Sequence, residues 1–410
     1  ASEYALHYAF DAGAQDPFVI LEYATPAEKG WMMLYSEDGH FEGDVSLAYS
    51  GAGGKTSVAL TSARTTGSIG KASTTLPKAA DYQKPTGKSN AKVMDFVLTE
   101  TPEGFHYAFN AIGTDYMLLY WRSKEQTVTQ PVYPDENGHY EGDVVSELTF
   151  ARTQFTVQVK SGSGSMKKEA TVRKGYQAPE APQRQEGRLS GVTVCIDAGH
   201  QENGRFVNEP IGPGLSGSTS GKGGMAQGTK TNRRESIVCL EIGMLLRDEL
   251  LRQGANVVMT REDQTTFHTN IERCEIAEAG GAQIMLRLHC NNSSNRSKRG
   301  IQVYGPLNSD YAKAVADADT YREMGQKLLD AMKTRVGMTL ANSTGMVRLN
   351  DNYVGNNWAK MMCFLVEMGY LSNPAEEYLL VTPVYQQWLA EGMADGVYEI
   401  AVARGWVQAQ

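Results

Sequence analysis

Two histidines and two glutamates carry the chemistry most readable in this chain. His200 closes the run "VTVCIDAGH" (192–200), His289 closes "QIMLRLH" (283–289) and Glu367 closes "KMMCFLVE" (360–367), so each follows an apolar stretch of strand character. Glu235 stands at the start of an amphipathic segment that follows the first of these runs. Two imidazoles and one carboxylate, with a further carboxylate nearby, form the donor set of a catalytic zinc site: three protein ligands and a fourth position open to water. One Zn2+ ion is therefore the expected cofactor, and nitrogen with carboxylate oxygen favours zinc over other divalent metals.

The other candidates for chemistry read differently. Of the seven histidines, His7, His40, His106 and His139 occupy matching places in a repeated segment, which marks scaffold positions. His268, in "QTTFHTN", has no strand end to deliver it to the site. Glu235 has a competing reading as the partner of Asn232 in a capping box at a helix start. Asp197 either orients His200 or shapes the turn after its strand. Arg261 and Arg273 are expected to be structural, and the Gly-rich "GPGLSGSTSGKGG" (212–224) lacks the spacing of a phosphate loop and reads as a flap.

These residues need elements to hold them. From residue 191 apolar strands alternate with helical patterns: 192–197, a helix over 234–253, 256–261, a helix near 270–279, 283–289, 300–305, a helix over 310–336, 360–367 and a final pair of helices from Pro374. That rhythm predicts an α/β domain over 191–410, with a mostly parallel sheet covered by helices on both faces. In such a sheet, working residues gather beyond the carboxyl ends of the strands.

The first 175 residues contain a duplication. "HYAF" at 7–10 returns at 106–109 and "GHFEGDV" at 39–45 returns as "GHYEGDV" at 138–144, both at an offset of 99 residues. Short aromatic and alternating runs between Gly, Pro, Asp and Asn clusters predict two small all-β sandwich domains, over 1–80 and 93–174. Segments 81–92 and 175–191 read as exposed linkers.

With 41% hydrophobic and 21% charged residues the composition is that of a globular protein, and no run approaches the ~20 apolar residues of a transmembrane helix. A net charge of −8 without a basic stripe argues against a nucleic-acid partner. The five cysteines match neither a zinc-knuckle nor a redox spacing, and they read as buried free thiols. The chain opens on "ASEYALHY" without a leader, so any export signal is expected to have been removed already or to lie outside the given sequence.

"IDAGH", "RRES" before an amphipathic helix, "VVMTR", "LRLHCN" and "LVEMGYLSNPAEE" follow one another as in the type 3 zinc-dependent N-acetylmuramoyl-L-alanine amidases, which the chain resembles from 191 to about 403. "EPIGPG" and "GNNW" resemble clostridial-type members. The resemblance implies that His200, Glu235 and His289 hold zinc, with Glu202 and Glu209 as alternatives to Glu235, and that Glu367 is the catalytic carboxylate. It further implies a secreted autolysin of a bacterial, Gram-positive cell wall, with peptidoglycan as substrate. The β repeats, which the resemblance does not cover, are expected to be spacers or wall tethers. The rival readings are a zinc carboxypeptidase on the same stem peptides, which would need an arginine clamp for the terminal carboxylate, and a non-catalytic cell-wall binding protein.

Overall fold

In the computed structural model the described residues are 5–409, apart from 13–16, 27–28, 48–52, 64–66, 79–91, 102–103, 113–116, 123–126, 146–151, 162–163, 174–178, 202–206, 220–223, 232 and 338–345. The chain divides into two compact units, Ala1–Tyr176 and Gln177–Gln410. The segment 81–92 lies outside the described residues except for Lys92.

Among the described residues, the elements of the first unit are all strands. Its opening part comprises β1 (Ala5–Asp11), β2 (Phe18–Ala24), β3 (Lys29–Tyr35), β4 (His40–Ser46), β5 (Gly54–Ser62) and β6 (Ser68–Leu76). It continues with β7 (Lys92–Thr101), β8 (Gly104–Ile112), β9 (Met117–Arg122), β10 (Thr127–Val132), β11 (His139–Val145), β12 (Arg152–Ser161) and β13 (Gly164–Arg173). β1 pairs with β4 and β8 with β11, and the sheets β3-β2-β5-β6 and β10-β9-β12-β13 repeat one strand order. β7 pairs with β8. In the later part Phe105 and Phe109 from one sheet share a core with Leu119, Trp121 and Val157 from the other, as strands with alternating burial require. His7 bonds Asp44 and His106 bonds Asp143 on the exposed side, through Nδ1 at 3.1 and 2.8 Å, which is how a scaffold histidine is held.

The second unit contains β14 (Thr193–Ala198), α1 (Glu235–Arg252), β15 (Asn256–Met259), α2 (Asn270–Ala279), β16 (Ile284–Asn291), β17 (Gln302–Gly305), α3 (Asp310–Val315), α4 (Ala318–Val336), β18 (Met346–Leu349), α5 (Val354–Trp358), β19 (Met362–Tyr370), α6 (Glu376–Leu380) and α7 (Pro383–Ala403). The sheet order is β15-β14-β16-β19-β17-β18, parallel except between β17 and β19. It is thus a mixed sheet with helices. Alternation along the strands explains its two covered faces: Cys195, Met285 and Cys363 pack with Cys274 and Ala277 of α2 and Ala359 after α5. Ile196, Ala198 and Leu288, pointing the other way, meet α1 at Gly243. Because both faces are covered, the strands read as nearly unbroken apolar runs.

Three expectations change. The helix expected over 310–336 is two, because Asp317 leaves the helical conformation (ψ 170°) and its side chain accepts from Thr320 N at 2.8 Å, opening α4 with a cap. β18 and α5 lie between the expected elements and are too short, at 4 and 5 residues, for periodicity to register. β16 and β19 also continue past His289 and Glu367, because the pair shifts register and resumes at Asn291 opposite Tyr370.

Asp197 pins the central strands. It is fully buried and receives Arg273 Nη1 from α2, Arg287 Nε from β16 at 2.9 Å and Thr260 Oγ1 from beyond β15 at 2.8 Å. Burial works against its charge, yet the two guanidinium groups hold its carboxyl well below the usual carboxylate range. A carboxyl depressed in the fold contributes stability that is fully present above its unfolded value and is lost progressively as pH falls from there through the depressed folded value. Asp197→Asn leaves two buried cations without a counter-charge, and urea unfolding is expected to show a loss of about 3–5 kcal/mol; an unchanged midpoint would remove this role.

Candidate active site

Beyond the β14 carboxyl end, Gly199 and His200 turn the chain across the edge of the sheet. A side chain at Gly199 would meet Leu288 O at 2.4 Å and the His289 ring at 2.7 Å, so only glycine lets this turn lie against β16. His200 itself takes φ +56°, a left-handed conformation that costs a non-glycine residue about 1–2 kcal/mol. The result is two imidazoles with ring centroids 4.9 Å apart and planes at 80°.

Glu235 comes to the same point from the first turn of α1. Its Oε1 lies 3.1 Å from His200 Nε2 and 2.9 Å from His289 Nδ1, and accepts from Cys290 N at 3.1 Å. Its Oε2 accepts from Ala226 N at 2.7 Å. One donor atom from each of His200, Glu235 and His289 lies within 4.8 Å of the others, the single such group of possible metal ligands among the described residues. The capping-box reading of Glu235 does not describe this position: Arg234 is the N-cap, it makes no side-chain cap bond, and Glu235 is the first helical residue instead of the third.

The charges suit a divalent ion. Although burial pushes the other way, the two imidazoles hold the Glu235 carboxyl well below the ordinary carboxylate range. Burial pushes the His289 imidazole down against the pull of Glu235, so it favours the neutral form that a metal requires. His289 Nε2 is buried without a hydrogen-bond partner, as is Glu367 Oε2. Unpaired buried polar atoms at one spot are costly, and a cation or a substrate group would relieve them.

Glu367 sits opposite His289 in the β16/β19 register. Burial, and then the Glu235 charge, push its carboxyl well above the usual range. All four residues line one cavity of about 640 Å³, with Glu209, His268, Asn291 and Tyr353 around them.

The remaining candidates have other roles. Asp197 reaches neither His200 nor the cavity, because Arg273 and Arg287 take both its oxygens. Glu209, the described alternative to Glu235, accepts from Asn270 N, Asn270 Nδ2 and Ile271 N at 2.7–3.2 Å and so anchors the start of α2. Glu202 lies outside the described residues. Arg261 donates to the carbonyls of Ala198, Gly199, Asp263 and Ser236, bracing the turn before His200. His268 lines the cavity but stands outside the ligand group. "EPIGPG" and "GNNW" touch: Trp358 Nε1 donates to Pro210 O at 2.9 Å and Asn357 Nδ2 to Ile211 O at 3.0 Å. Residues 220–223 of the Gly-rich stretch lie outside the described residues.

Sequence reasoning missed the hub beside Glu367. Gln302 Oε1 accepts from Tyr304 OH (2.8 Å), Asn291 Nδ2 (3.0 Å) and Tyr370 OH (3.3 Å). The signal available was a lone polar residue inside the apolar "GIQVYG".

A model of the Amidase_3 family, described as N-acetylmuramoyl-L-alanine amidase, matches residues 194–399, just over half of the chain. The chain belongs to the Amidase_3 family. Among its relatives, the "Germination-specific N-acetylmuramoyl-L-alanine amidase" of Bacillus subtilis (strain 168) is 26% identical over 231 residues, which is 53% of this chain and 83% of that protein. The "Probable cell wall amidase LytH" of Staphylococcus aureus is 27% identical over 218 residues, 52% of this chain and 60% of that protein. Among solved structures, the N-acetylmuramoyl-L-alanine amidase from Clostridium difficile 630 aligns over 51% of this chain and 96% of its own at 23% identity and a TM-score of 0.41, too distant to carry weight. The Amidase_3 match spans all four of His200, Glu235, His289 and Glu367.

A like charge nearby disfavours ionisation, so removing it should lower the Glu367 midpoint. In metal-stripped protein, Glu235→Gln is expected to shift the Glu367 titration to lower pH, read by carbon NMR of labelled glutamate; no shift would show that the Glu235 charge is not felt there.

Proposed function

We propose that the chain is a zinc-dependent cell-wall hydrolase that cleaves the amide between N-acetylmuramic acid and the L-alanine of the peptidoglycan stem peptide. What carries the reading is the convergence of His200, Glu235 and His289 within 4.8 Å, beside a glutamate whose buried oxygen has no partner. His200, Glu235 and His289 would hold one zinc ion, and Cys290 N and Ala226 N fix the carboxylate among them. Bound zinc supplies Lewis acidity at the carbonyl oxygen and lowers the pKa of water from about 15.7 towards ~7.

Glu367 is the proton carrier. Its ionised carboxylate takes the proton of the attacking water, and the same group returns it to the departing nitrogen of L-alanine. A carboxyl shifted upward by burial suits both halves, because its affinity for the proton is closer to working pH.

The carboxypeptidase reading is weaker on one observation. The arginines that line the cavity, Arg273 and Arg287, are committed to Asp197 and do not form a clamp for a terminal carboxylate. The binding-protein reading is disfavoured because three residues able to hold a metal ion and a buried carboxyl line one cavity. The assignment extends to the remainder of the chain: β-sandwich domains over 1–80 and 93–174 tether or space a catalytic domain over 191–410. The protein acts in a bacterial cell wall, outside the membrane and of Gram-positive type, as an autolysin. No helix among the described residues is long and apolar enough to cross a membrane.

Elemental analysis should find one zinc per chain, and mass spectrometry of digested peptidoglycan should find intact stem peptides freed from muramic acid; release of single terminal residues would instead favour the peptidase. Glu367→Gln should keep its zinc and lower kcat about 10²–10⁴-fold; retained turnover would strip Glu367 of this role.

A further inference from the structure

Resting on the metal reading above, we infer that Glu377 is a positioning residue for Glu235, acting through a short hairpin whose described residues are 226–231, 233 and 234. The two glutamates are far apart in sequence and occupy different helices, α6 and α1. What joins them is a chain of hydrogen bonds.

Glu377 is fully buried. Its carboxylate accepts from Thr229 Oγ1 and Lys230 N at 3.0 Å on Oε1, and from Lys230 N at 3.0 Å and Thr231 N and Oγ1 at 3.4 Å on Oε2. A buried carboxylate is costly unless its oxygens are satisfied, and here one three-residue turn satisfies them. Gly228 makes this fit possible, because a side chain there would meet Thr231 Oγ1 at 2.3 Å and Glu377 Oε2 at 2.4 Å.

From that tip the hairpin runs back to the site. Gly228 N donates to Arg233 O at 2.8 Å, Gln227 and Arg234 form an antiparallel bridge, and Glu235 N donates to Ala226 O at 2.9 Å. At its open end, Ala226 N donates to Glu235 Oε2 at 2.7 Å. Two separate facts make the hairpin matter to Glu235. Helix α1 has no side-chain cap at Arg234, so the hairpin partner Ala226 O takes the first helical N–H in place of a cap. And Ala226 N holds Oε2, which leaves Oε1 as the oxygen turned to His200 and His289. Glu377 locks the tip; the open end then aims the carboxylate. Hydrogen-bonding partners behind a metal ligand typically contribute 10–100-fold in metal affinity.

The test is zinc affinity of the full chain by competition with a chelator, for the unaltered protein, Glu377→Gln, Glu235→Gln and the double variant. Glutamine offers one oxygen where the turn needs two, so Glu377→Gln is expected to bind zinc about 10–100-fold more weakly. Because Glu377 acts through Glu235, the double variant should bind no more weakly than Glu235→Gln alone, a coupling that a general loss of structure would not produce. Binding within twofold of the unaltered chain, or losses that multiply in the double variant, would overturn the inference. Absence of zinc binding by the unaltered chain would overturn the metal reading and this one with it. Should Glu377→Gln fail to fold, amide exchange in the unaltered chain decides: Ala226, Gly228 and Glu235 are expected to exchange as one unit, and independent exchange of Ala226 would refute the link.

Discussion

The second unit is organised around a carboxylate that has almost no water. Glu235 is buried, and each of its oxygens is taken: one by two imidazoles and the Cys290 amide, the other by the Ala226 amide. An ionised group in that position is tolerable only if every partner stays in place. The partners come from the turn after β14, from β16, and from the segment before α1. The placement of three separate pieces of chain is thus tied to one side chain, and the geometry that satisfies the carboxylate is the geometry that gathers a metal-ligand set.

A second buried carboxylate, Asp197, does the corresponding work one layer down. Arg273 and Arg287 neutralise it and tie α2 and β16 to the end of β14. The two arginines therefore lie beside the cavity without lending it free positive charge. Arg261, through four carbonyls, braces the turn that carries His200. The left-handed backbone of His200 is held in place by this bracing and by the close approach of Gly199 to β16. Glu367, by contrast, keeps one buried oxygen without a hydrogen-bond partner, which suits the proton-carrying role proposed for it.

The residues that converge were readable because their signals are local. A histidine after an apolar strand, or a glutamate after "MMCFLV", stands out against its own neighbours. The strand and helix alternation was readable for the same reason, since burial on both faces of a parallel sheet leaves continuous apolar runs. What could not be read depends on partners distant in the sequence. Asp197 finds its guanidinium groups 76 and 90 residues away, so its choice between orienting His200 and shaping a turn could not be settled from the strand that carries it. Gln302 and Glu377 look like ordinary polar residues until the fold brings their donors to them. The break at Asp317 was missed because the apolar period continues on either side of it; only the cap on Thr320 reveals the interruption.

The five cysteines have a bearing on where such a chain can survive. All are reduced and buried; Cys195 and Cys363 lie on the sheet face that packs against α2 and α5, and Cys274 lies on α2 itself. Burial pushes the thiols up, Cys274 to about 12 and Cys195, Cys290 and Cys363 well above their ordinary value. Disulfide exchange needs an accessible thiolate, and these sites supply neither the anion nor the access. Once folded, the catalytic unit is inert to an oxidising exterior without a single cross-link, provided that folding outpaces oxidation of the open chain.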